Sequence, residues 1–172
     1  MKREMDLCSD YLLSSFGQET ATGLSRLLEN TLSHNKITRM LSGNEFSSRD
    51  LWQEVKLLVR ENETNNACLI FDDTIVSKPY TDEYDLINWH WDHSRIRNEK
   101  GINLLTAFYH TQLPTVPEAL RVPVAIECVK KTIRFCEEKN RREKHQSPII
   151  KNEMMRLMLR QAVENQHLNP KP

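Results

Sequence analysis

Apolar residues recur at three- and four-residue spacing through the first third of the chain. Ala21, Leu24, Leu27 and Leu28 fall on one helical face. Ser33 and His34 open a second run carrying Ile37 and Leu41, and Gly43 with Asn44 stops it. Ser48 is placed to cap a third helix with Trp52, Val55, Leu58 and Val59 on its inner face. This pattern predicts a helical N-terminal region over residues 1–64.

The period changes at Ala67. Residues 67–71 (Ala-Cys-Leu-Ile-Phe) form a short apolar run of the kind that fills a buried strand, and it ends in Asp72 and Asp73. Further strands are predicted over Ile102–Thr111, after Gly101, and over Arg121–Val129, with Pro114 and Pro117 punctuating the connection. The last two read as an antiparallel meander. The segment between the first two, DLINWHWDHSRIRNEK, reads as an excursion over Asp85–Lys100. A final helix is expected with Ser147 as N-cap and Pro148 in its first turn. Ile150, Met154, Leu157, Met158 and Ala162 form its stripe, which runs to about Asn165. A methionine-rich stripe is core packing before it is a cofactor surface. Residues 65–172 therefore read as three antiparallel strands and a helix, and the fold class as α+β.

Composition narrows the function. The 172 residues hold 24 basic and 24 acidic side chains, which excludes a uniformly basic nucleic-acid binder. The charges are unevenly placed, however. Residues 1–120 hold 12 basic against 18 acidic, and residues 121–160 hold 11 basic against 5 acidic. A basic segment after an acidic one fits contact with a polyanion, or simply a solvated face. The start, MKREMDLCSD, is too polar for a secretory signal, and no apolar run approaches the ~20 residues of a membrane helix. A cytoplasmic protein with no membrane partner is expected, its four cysteines free thiols.

Three features could carry chemistry. The helices over Thr20–Leu28 and His34–Leu41 have a helix-turn-helix outline, with His34, Asn35, Thr38 and Arg39 facing outward to phosphates and base edges. Plain helical packing explains the same pair. Trp89 and Trp91, followed by Arg95, Arg97 and Lys100, suit stacking on bases and pairing with phosphates. Packing of the tryptophans on the sheet is the alternative. Asp72 and Asp73 point to opposite faces of a strand, so only one can share a pocket with partners from neighbouring strands. Carboxylate oxygens suit magnesium or manganese, whereas a capped loop would use the same residues on backbone amides.

The stretches LIFDDTIVSKPYTDE, NWHWDHSRIRNEKGINLLTAFYH, PVAIECVKK and SPIIKNEMMR together resemble insertion-sequence transposases of the DDE superfamily. The helical start, DYLLSSFGQETATGLSRLLENTLSHNKITRMLS, resembles the N-terminal region of the same proteins, and the likeness runs from Asp6 to about Gln166. The resemblance implies an RNase H-like catalytic domain that is incomplete here. It implies Asp73 as the first catalytic carboxylate and metal ligand, and DNA at transposon ends as substrate. Magnesium or manganese would be held by three acids in the intact family. The second acid lies on a strand after the last helix and the third on a later helix, so both are absent. Glu153 and Glu164 lie on the wrong helix to replace them. The expectation is a truncated DDE transposase, inactive alone and without its metal. The alternative is a non-enzymatic DNA-binding or dimerising fragment that regulates a full-length transposase. Expected partners are DNA, a full-length or C-terminal transposase polypeptide, and a second copy of the chain.

Overall fold

A computed structural model of the chain describes residues 2–16, 19–43, 46–113, 118–138 and 142–170. Asn44, Pro114 and Pro117 lie outside the described residues. The chain divides into two units, Met1–Phe46 and Ser47–Pro172.

The first unit holds α1 (Lys2–Ser14), α2 (Ala21–Leu27) and α3 (His34–Ser42). Thr20 caps α2 by accepting from Gly23 N, and Ser33 caps α3 by accepting from Lys36 N. Cys8, Leu24, Leu32 and Ile37 are buried together, with Tyr11, Ala21, Leu28 and Met40 packed around them. Leu27 and Leu41, expected on the inner faces, are exposed. In so short a unit each helix has room for only one or two fully covered positions.

The second unit begins with α4 (Ser48–Glu61), so this helix belongs to the sheet and the division falls earlier than residue 64. Ser47, not Ser48, is the N-cap residue, and its backbone N–H donates to Asp50 Oδ2 at 2.9 Å. Ser48 is instead the first helical residue and ties α4 to a strand: its hydroxyl donates to Ile126 O at 2.7 Å and accepts from Ile126 N at 3.0 Å. Trp52 and Val59 are buried and Val55 is packed against them, while Leu58 faces solvent.

The sheet comprises β1 (Cys68–Ser77), β2 (Ile87–Asp92), β3 (Arg97–Gln112) and β4 (Ala119–Cys128), all antiparallel. β3 is the spine. It pairs along one edge with the whole of β1 and along the other with β2 and β4, placed end to end. The expected three strands are therefore four. β1 does not stop at Asp72 and Asp73 but continues through Thr74, Ile75 and Val76, β-branched residues suited to a strand. Among the described residues β1 pairs only with β3, which leaves its other edge open. A separate hairpin, β5 (Ile133–Glu137) with β6 (Arg142–Gln146), precedes α5 (Lys151–Arg160).

Alternate residues of β3 face the helices. Leu105, Ala107, Tyr109 and Thr111 on this face are all buried. A bulge opposite Ala107 and Phe108 turns both Val124 and Ala125 of β4 inward. Gln166 Nε2 donates to the Val124 carbonyl at 3.3 Å. α5 ends in a π turn, Gln161–Asn165, and its Met158 and Ala162 are buried with Leu168 against Trp52, Val59 and Tyr109. Each fully buried aliphatic side chain here is worth about 2 kcal/mol. Ile150 and Leu157, expected on the stripe, are exposed. α5 also starts later than expected. Ile150 is its N-cap residue, and the Ser147 hydroxyl donates to Ile149 O in the preceding turn instead of capping the helix.

The β2–β3 turn carries a conformational cost. Asp92 Oδ1 accepts from Ser94 N, Ser94 Oγ and Arg95 N. Ile96, 77% exposed, then sits at φ 51°. A β-branched residue is costly in this left-handed region. Replacing Ile96 with asparagine should stabilise the protein by about 1 kcal/mol and raise Tm by about 2 °C, read by thermal unfolding. An unchanged or lower Tm contradicts the strain.

Candidate functional site

The helix-facing side of β3 changes character along its length. From Leu105 onward it is apolar, but before that it reads Glu99, Gly101, Asn103. The neighbouring strands agree. In β1 the same face carries Asp73, directly opposite Leu105, and in β2 it carries Asn88 and His90, opposite Gly101 and Glu99. Asn88, His90 and Asn103 are all at least 96% buried. The sheet thus has an apolar end under α4 and α5 and a polar end beside the start of α5.

Asp73 sits at the junction. Asn103 Nδ2 donates to its Oδ1 at 2.7 Å, and the Lys151 ammonium donates to its Oδ2 at 2.5 Å. Both partners of that ion pair are about one-third exposed. Lys151 is the first residue of α5, where the helix dipole disfavours a cation, and the Asp73 carboxylate offsets that cost. Asp72 points to the opposite face, as strand alternation requires, and accepts from Thr74 Oγ1 at 2.9 Å.

Lys131 lies beside this pair. Its backbone N–H donates to Asp85 O at 2.7 Å and its ammonium to Trp89 O at 2.5 Å. Burial, and then the Lys151 charge, lowers its pKa from the ordinary lysine value. Burial, with the Lys131 and Lys151 charges added, pushes the His90 imidazole down to about 4 against the opposing pull of Asp73. His90 is therefore neutral at pH 7. Its Nε2 is buried without a hydrogen-bond partner, as are Asn88 Nδ2 and Asn103 Oδ1. Unsatisfied buried polar atoms are uncommon, and three of the six among the described residues lie at this end of the sheet, the others being His110 Nδ1, His145 Nδ1 and Gln166 Oε1.

The remaining expected residues fall on two other surfaces. His34, Asn35, Thr38 and Arg39 all lie exposed on α3. Trp89 and Trp91 point outward from β2, each about half exposed, and Lys100 stands 6.0 Å from the Trp89 ring centre. The Trp89 indole N–H donates to Glu83 Oε1. The excursion expected over Asp85–Lys100 is thus β2 and the start of β3, with the tryptophans on the solvent side. Arg95 and Arg97 point at acids, Arg97 pairing with Glu99 at 2.9 Å and Arg95 approaching Asp92 at 3.7 Å. Exposed pairs of this kind contribute little and exchange readily with a phosphate.

Sequence reasoning found Asp73 and missed Asn88, His90, Asn103, Lys131 and Lys151. One signal pointed to Asn88 and His90: the run Asn-Trp-His-Trp alternates polar with aromatic over one strand.

The donor set does not fit a divalent cation. Asp73 has both oxygens engaged, Glu99 is held by Ser77 and Arg97, and two ammonium groups stand at this end. Among the described residues no group of three or more His, Cys, Asp or Glu side chains is placed to hold a metal. Among them, too, no helix is long and apolar enough to cross a membrane. No family model, curated protein or solved structure matches this chain.

Proposed function

We propose that this chain carries the N-terminal portion of a DDE-type transposase and handles DNA. The observation that carries the reading is the place of Asp73. It projects from the strand that opens an antiparallel sheet, on the helix-covered face, into a polar end walled by buried Asn88, His90 and Asn103. That is where the resemblance puts the first acid of an RNase H-like domain. A phosphodiester displacement assisted by two metals needs more carboxylates than this one. These residues are therefore not a cleaving unit by themselves, and magnesium or manganese is not held by them as arranged here. Further acids must reach the same end of the sheet before the site can cut.

The exposed row His34, Asn35, Thr38 and Arg39 on α3 favours a second reading, a DNA-binding module that acts without cleavage. Both readings require DNA binding. Without metal, the protein should shift duplex DNA at low salt. The plot of log affinity against log salt should fall with a slope of roughly −3, for three or four phosphate contacts. Arg39→Ala should weaken binding by about tenfold. Absence of a shift at low ionic strength contradicts both readings.

A further inference from the structure

The polar end of the sheet opens into a cavity lined by His90, Val129, Lys131, Gln146, Ser147 and Lys151. An adjoining cavity shares Lys131 and Gln146 and is lined by Asn88, but there Glu83 and Glu143 balance Lys131 and Lys144, so the cationic surplus belongs to the first cavity. The lining of the first cavity holds two lysines and no carboxylate; Asp73 beside it is already bonded on both oxygens, and Glu99, opposite His90, is held by Ser77 and Arg97. Each ammonium carries three N–H groups. Lys131 spends one on Trp89 O and Lys151 one on Asp73. Behind them lie Asn88 Nδ2, an N–H donor, and His90 Nε2, which donates in the neutral tautomer that carries the proton there. The surplus is of positive charge and of donors, the reverse of what a metal needs and the match of what an oxyanion needs.

We propose that this end of the sheet binds a phosphate group, with Lys131 and Lys151 as charge partners and His90 as a buried hydrogen-bond donor. The ligand class is the phosphodiester of a nucleic-acid backbone, and for that source the inference rests on the DNA-handling reading. Asp73 holds Lys151 at the rim and leaves its remaining N–H groups free to meet the anion.

The test uses the whole chain with histidine ring signals followed by NMR. Inorganic phosphate, titrated against sodium chloride of equal ionic strength, should move the His90 ring signals in a saturable way. A short oligothymidylate should move the same signals. Lys131→Met and Lys151→Met should each weaken both responses by at least about tenfold. Lys56→Met, on the exposed side of α4, should leave them unchanged. A His90 signal that follows chloride and phosphate alike overturns the site, as does a folded Lys131→Met, Lys151→Met double variant that responds like the parent. Should the variants fail to fold, the parent's phosphate-against-chloride comparison decides alone. A response to phosphate with none to the oligonucleotide overturns the nucleic-acid source while the phosphate site stands, and the duplex shift at low salt decides the DNA-handling reading separately.

Discussion

Gly101→Ala is expected to cost about 3 kcal/mol and to disrupt the sheet at its polar end. Gly101 lies where three strands run side by side, opposite Ser77 on one edge and Asn88 on the other. A Cβ built on it would stand 2.2 Å from Val76 O, 2.9 Å from Val76 C and 3.1 Å from Ser77 Cα. All three atoms are backbone, so no side chain can turn aside. Either β1 moves away from β3, giving up the Lys78 N–H to Lys100 O bond of 2.8 Å, or β3 bends. Either movement displaces Asn103 and, with it, the donor to Asp73. The effect is therefore double: a lower denaturant midpoint and, in any variant that still folds, altered His90 ring signals. Chemical denaturation followed by far-UV dichroism reads the first. A midpoint equal to the parent's contradicts the close approach.

Legibility in the sequence followed burial more closely than it followed pairing. The helix faces were readable because Leu24, Ile37, Trp52, Val59 and Met158 obey the helical period and are buried. Leu58 and Leu157 obey the same period and are exposed, since a helix resting on a sheet covers a narrower stripe than one inside a bundle. The apolar run of β1 ended at Phe71, and so did the predicted strand, yet backbone pairing continues six residues further to Ser77. Asp73 and Ser77 there face the polar end and Asp72 and Thr74 face solvent, and so polar a stretch looks like a loop to any reading based on hydrophobicity. β2 was hidden for the same reason in a stronger form, its polar side chains buried and its tryptophans outward. β5 is largely exposed, and its alternation of Ile133 and Phe135 around Arg134 is too short to mark a strand. Asp73 was legible from its place after the apolar run and from the resemblance. Lys131 and Lys151 were not, because lysines that converge from separate elements leave no pattern in one dimension.

Asp73→Asn should abolish DNA cleavage in any assembly that supplies the further acids, whether a longer form of this chain or a second polypeptide. The change keeps the shape and the bond from Asn103 but removes the negative charge. Removing outer partners of a metal site already costs 10–100-fold, so loss of a ligand should cost more than about 100-fold. Stability should change little, because Asp73 and Lys151 are each about one-third exposed and such pairs contribute weakly. Asp72→Asn is the matched control: one residue away, of the same chemistry, and on the opposite face beside Thr74. The decisive measurement is therefore the magnesium-dependent cleavage rate of parent, Asp72→Asn and Asp73→Asn proteins in one such assembly. The account predicts a rate near the parent's for Asp72→Asn and a loss of more than about 100-fold for Asp73→Asn. Equal rates for Asp73→Asn and the parent, or loss at Asp72 alone, would contradict it.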